Sequence, residues 1–145
     1  MWDFIQRVLN IWAKHDAEHV LCRRIIFTTA QVNAGATLVQ AIPNHKIAMT
    51  DAYVIAIGGA AGAVTTVDIL ATLASVSRKL VAFAQANLTQ STRVLAGGTG
   101  GTTLADGAST SFNDVGTPIT VGITGSAVTT ATGFVFIIYY RLEKL

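Results

Sequence analysis

The sequence predicts an all-β domain: a jelly-roll-like β-sandwich of about eight strands, preceded by an N-terminal amphipathic helix. Three observations carry this. Short runs of β-branched and aromatic residues recur along the chain, each closed by Gly, Asn, Asp or Pro. Several runs alternate apolar and small polar residues with the period of a half-buried strand. The pattern switches to a helical period only at the front of the chain.

The stretch Gly116 to Leu145 organises the rest. Ile119, Val121 and Ile123 alternate with Thr120, Gly122 and Thr124, and a turn-rich connection is expected from Gly125 to Gly133. The most apolar run of the protein follows. Phe134, Phe136, Ile138 and Tyr140 occupy one side of it, and Val135, Ile137 and Tyr139 the other. A strand apolar on both sides is expected to be covered on both. A small sandwich has one core to offer, so the second side calls for another element or another subunit. The first set of four is the expected interface.

At the front, Trp2, Ile5, Leu9 and Trp12 fall at helical spacing, widened by Phe4, Val8 and Ile11, while Asp3, Gln6, Arg7, Asn10 and Lys14 take the opposite side. Residues 1–22 are therefore read as a helical arm and 23–145 as the sandwich. The arm either packs on its own domain or docks through Trp2, Ile5, Leu9 and Trp12 into a neighbouring subunit or shell.

The strands are then expected in order. Residues 23–32 form the first, and Asn33-Ala34-Gly35 turns the chain. Residues 37–42 form the second, ended by Pro43-Asn44. Residues 46–58 form the third, with Asp51 marking a bulge or break. Gly58 to Gly62 is a turn. Residues 64–73 alternate well, with Val67, Ile69, Ala71 and Leu73 on one face. Residues 79–88 follow, where the alanines would also suit a helix. Gly97 to Gly101 is the main loop, and residues 102–112 give a weak strand before the final pair.

Composition narrows the function classes. The chain has 145 residues, the size of one domain. Charged residues make up 12%, about half the usual share, so apolar surface is left over once a core is filled. No run approaches the roughly 20 apolar residues of a spanning helix, and the start, Met1-Trp2-Asp3, lacks the basic n-region of a secretion signal; no membrane partner is expected. The 10 Lys and Arg are scattered, which disfavours direct nucleic-acid binding. Cys22 is the one cysteine, so no internal disulfide holds the fold.

Catalytic patterns fail on inspection. His15-Asp16-Ala17-Glu18-His19 matches H-x-x-E-H, which places two imidazoles one helical turn apart, but no third ligand on a second helix accompanies it. The Gly97–Gly101 run lacks the Lys-Ser/Thr of a phosphate loop. No G-x-S-x-G occurs, and Asp68, Asp106 and Asp114 stand singly. The expectation is no enzyme, no cofactor, no metal and no small-molecule substrate. His15→Ala with His19→Ala is expected to leave the fold intact.

Three stretches carry a resemblance. Asn44-His45-Lys46-Ile47-Ala48-Met49-Thr50-Asp51-Ala52-Tyr53-Val54 resembles the early core strand of small virion proteins of tailed bacteriophages. Leu104-Ala105-Asp106-Gly107 with Gly116-Thr117-Pro118-Ile119-Thr120-Val121 resembles their later hairpin, and residues 130–141 resemble their closing strand. The likeness spans about residues 25 to 143 and leaves out the arm. It implies a capsid decoration, or cement, protein: a jelly-roll-like subunit, commonly a homotrimer, made in the host cytoplasm and seated on the capsid surface against a major capsid protein. Such proteins have no catalytic residues to carry over. The alternative is a tail- or fibre-associated module that binds a receptor or glycan, for which exposed loop aromatics would be needed.

Overall fold

A computed structural model describes residues 19–95, 101–102 and 113–144. The arm residues Trp2, Ile5, Leu9 and Trp12, the His15–Glu18 part of the histidine pattern, most of the glycine loop and residues 103–112 lie outside them. The described elements are β1 (Leu21–Thr28), α1 (Thr29–Asn33), β2 (Thr37–Val39), β3 (His45–Ile57), β4 (Ala61–Leu73), β5 (Val76–Ala84), β6 (Arg93–Leu95), β7 (Gly101–Thr102), β8 (Ile119–Thr130) and β9 (Gly133–Lys144). A short 3-10 turn, Gln85–Asn87, follows β5. The strands form two sheets, one of four in the order β1-β9-β3-β6 and one of five in the order β2-β8-β4-β5-β7, with every strand pair antiparallel.

Side-chain alternation builds the core. Phe27, Val54, Phe134, Phe136 and Ile138 point inward from the four-stranded sheet, and Val67, Ile69, Phe83, Ile119 and Val121 meet them from the other. The rings of Phe27 and Phe134 lie 6.0 and 6.3 Å from that of Phe136. Close packing of such rings contributes to stability beyond the area they bury.

Local chemistry explains where the elements depart from expectation. The first strand stops at Thr28 instead of running to Val32. Thr28 Oγ1 accepts from the Gln31 backbone N–H at 3.2 Å, and Gln31 Oε1 accepts from the Thr28 N–H at 2.9 Å. This reciprocal capping box starts α1. Asn33 at its end then pairs with Val128 like a strand residue: its Oδ1 accepts the Val128 N–H at 2.8 Å and its Nδ2 donates to the Val128 carbonyl at 3.2 Å. β8 continues through the expected turn at Gly125 and ends at Thr130. Gly125, at φ +88°, absorbs a register shift against β4 that lets the strand go on. The bulge expected at Asp51 is present, with the β3–β9 register shifting between Met49 and Asp51. Residues 79–84 are strand, not helix. Gly133 sits so close to β1 that a Cβ there would lie 2.6 Å from the Phe27 carbonyl oxygen.

The β4–β5 hairpin turns on Ala74 and Ser75, both at positive φ (52° and 61°). Glycine or asparagine normally fills such a turn. Here Asp114 offsets the cost: its carboxylate accepts the N–H groups of Ala74 and Ser75 at 3.1 and 3.0 Å. Its neighbour Asn113, fully buried, accepts the Ile47 N–H at 2.7 Å, so the segment before β8 clips both sheets. The bonds from Ser75 and Ala74, with a smaller contribution from Lys46, hold the Asp114 carboxyl below its ordinary value of 3.8. A group depressed on folding contributes stability above its unfolded pKa and loses it as pH falls through the folded one. The protein is therefore expected to lose stability below about pH 4 partly through Asp114, and Asp114→Asn should flatten that limb of the urea-midpoint-versus-pH curve. An unchanged acid limb in the variant would exclude this role.

Candidate functional site

Strand β9 decides where a partner can sit. Phe134, Phe136 and Ile138 are fully buried between the sheets, and Tyr140 packs against the same core. This corrects their expected place at an interface: the sandwich itself takes that side of the strand, because its larger side chains are needed to fill the gap between two sheets about 10 Å apart. The side left for a partner is the other one.

On the outer face of the four-stranded sheet the register sets side chains in rows. One row runs Ile26, Val135, Ile55, Arg93 across β1, β9, β3 and β6. The next runs Arg24, Ile137, Tyr53, Leu95. A third runs Cys22, Tyr139, Asp51. Val135 is buried by its neighbours, whereas Ile26 is 52% and Leu95 46% exposed, and Ile55, Ile137, Tyr53 and Tyr139 are half-buried. Charged residues enter from the sides, with Arg24 on β1, Asp51 at one end and Arg93 on β6, whose guanidinium reaches over the Tyr53 ring. No other described element lies over this face in the sheet order or element contacts. An apolar centre with a charged rim is the composition of a protein-binding patch.

Aromatic contacts join the side chains of the centre. The rings of Tyr53 and Tyr139 meet edge-on at 5.6 Å, and the Arg93 guanidinium carbon lies 5.0 Å from the centre of the Tyr53 ring. Side-chain hydrogen bonding to Tyr53, and then to Cys22, pushes the Tyr139 phenol up to about 12. Sequence reasoning reached this strand and its double apolar character. It missed the role of Tyr53, Ile26 and Leu95, whose common signal is parity: each occupies the position opposite an outward residue of β9 or, for Leu95, opposite Tyr53.

The opposite sheet carries the one ion pair found among the described residues. Asp68, 1% exposed on β4, lies 3.1 Å from Lys79 Nζ and accepts from Thr124 Oγ1 at 2.8 Å. Lys79 also bonds Thr124. Asp68 is thus a structural carboxylate. Among the described residues no group of three or more His, Cys, Asp or Glu could hold a metal, and no helix is long and apolar enough to cross a membrane.

No protein-family model matches this chain, and neither a curated protein nor a solved structure matches it.

Proposed function

We propose that this chain is a virion structural protein, a capsid decoration subunit that stabilises a shell through protein–protein contacts and has no catalytic role. The observation that carries the reading is the interleaved strand order. With β7 set aside as an edge addition, the first, ninth, third and sixth strands make one sheet and the second, eighth, fourth and fifth the other. Every connection except the β4–β5 hairpin therefore crosses between sheets, as in a sandwich of two Greek keys. This supports the finer description of the fold as a jelly roll, an architecture used by viral capsid and lectin domains. Low charge and an outward apolar sheet face agree with a molecule that works among copies and against a major capsid protein.

The resemblance to decoration subunits implies a homotrimer, one of the closed cyclic assemblies open to a self-associating module. Light scattering of the full chain at micromolar concentration should give three chain masses, and immunogold against the chain should label intact particles from the producing culture. A monodisperse monomer that labels no particle would overturn the reading.

The alternative of a receptor- or glycan-binding module on a tail or fibre draws support from the half-exposed Tyr53–Tyr139 pair, which offers aromatic faces on a strand platform instead of on loops. Glycan binding abolished by Tyr139→Ala would favour it over the shell role.

A further inference from the structure

We propose that copies of this chain meet through the outer face of the four-stranded sheet, the β1 margin of one copy seated on the β3–β6 margin of the next. The inference rests on the self-associating subunit proposed above and names the surface such a subunit uses. The exposed apolar side chains of the face are divided between its margins. Ile26, 52% exposed, stands on β1, and Leu95, 46% exposed, stands on β6 at the far side. Three strand spacings of about 4.8 Å lie between those strands, so neither side chain covers the other within one chain. The charges are divided in the same way. Arg24 stands on β1 and Asp51 on β3, with β9 between them. About 10 Å of sheet keeps this base and acid apart, and the one ion pair found among the described residues is Lys79 with Asp68.

A second copy resolves both separations with one placement. With the rows of two neighbouring copies at equal height, Ile26 would meet Arg93 and Arg24 would meet Leu95, which sets charge against apolar surface twice. A step of one row, two residues or about 7 Å, changes every match. Ile26 then meets Leu95, and Arg24 comes to the row of Asp51. Arg93 is left facing Thr28 instead of Arg24. Across a sheet about 14 Å wide, this step corresponds to strands tilted by about 25° from a common axis. Contact of one margin with the other is heterologous, and such contacts close into a ring when the rotation allows.

The match is internal to this face, which is what assigns the occupant as another copy. Asp51 is held ready as the acceptor: its Oδ1 takes the Ala52 N–H at 2.8 Å, which fixes the carboxylate beside the bulge. A charge pair at such a margin adds little affinity but sets register and disfavours mismatched partners. Affinity comes from the apolar centre, where Ile55, Ile137 and Tyr53 leave water once the margins meet. Contacts with a shell then fall on other surfaces.

Ile26→Lys and Leu95→Glu in the full chain test the match. Both sites are exposed in the single chain, so each variant should keep the wild-type circular dichroism and urea midpoint. By light scattering at micromolar concentration each should fall to one chain mass, its association weakened at least about tenfold. The double variant Ile26→Lys/Leu95→Glu should regain the wild-type mass, because every contact then joins a new base to a new acid. A wild-type assembly whose mass Ile26→Lys leaves unchanged would overturn the proposal and leave the shell reading standing. So would two dissociating single variants whose double variant stays dissociated, since the two margins would then not face each other. A wild-type monomer would overturn it as well. If that monomer still labels particles in immunogold, the shell reading survives alone, and if it labels none, both fall.

Discussion

Phe136→Ala is expected to lower the unfolding free energy by about 3–5 kcal/mol, the range for removing a fully buried aromatic side chain. The ring is 0% exposed and is flanked by Phe27 and Phe134. Its neighbours come from strands on either side and from the facing sheet, so the cavity cannot collapse by moving one loop. Domains of this size are stable by about 5–15 kcal/mol, and the variant would be left with a small margin or none. The adjacent residue provides the control. Ile137 is half-buried on the outer face, and Ile137→Ala should cost about 1 kcal/mol, in proportion to the smaller area it removes from water. Urea midpoints of the two variants measure the contrast. If Ile137→Ala proved as damaging as Phe136→Ala, the assignment of inner and outer faces along β9 would be wrong.

That contrast marks the limit of what could be read from the residues. The strand character of β9 was plain from its composition, as were the alternation of β4 and the bulge at Asp51. Which side of β9 turns inward was not, because both sides are apolar and periodicity gives parity without direction. The choice is made by partners distant in sequence: Val54 and Ile25 oppose Phe136, while Ile55 and Ile26 oppose Val135. The capping box at Thr28 and Gln31 was hidden inside a run of strand-like residues, and two side-chain hydrogen bonds outweigh a weak propensity. Gly125 looks like a turn residue in the sequence, which makes the expected strand shorter than β8. In the fold it serves a bulge, a use of glycine that depends on β4 running alongside. β6 is three residues long and has no periodicity of its own to detect.

The outer face of the four-stranded sheet was legible only by half. Its two apolar tyrosines and three isoleucines come from β1, β3 and β9, and no local pattern links Ile26 to Ile55 or Tyr53 to Tyr139. Register creates the surface. The same holds for Asp114, which reads as an ordinary turn residue until the hairpin at Ala74 and Ser75 is seen to need two acceptors.

The second large effect is expected at the Asp68–Lys79 pair. Removing one partner of a buried ion pair leaves an uncompensated charge and costs about 3–5 kcal/mol when both are fully buried. Lys79 keeps 28% of its side-chain exposure, so water softens the loss, and Lys79→Met should cost about 2–3 kcal/mol. Thr124 alone then faces the Asp68 carboxylate, and Asp68 Oδ1 has no hydrogen-bond donor among the described residues to take up the difference. The double variant Asp68→Leu/Lys79→Met should recover most of the loss. It removes the stranded charge and fills the same space with apolar atoms, a replacement that is often neutral or better. The mechanism thus predicts a strongly non-additive cycle, with the double variant more stable than Lys79→Met alone. Urea unfolding of the four proteins decides it. Additive losses would mean that the pair acts as two separate surface groups and that Asp68 reaches solvent.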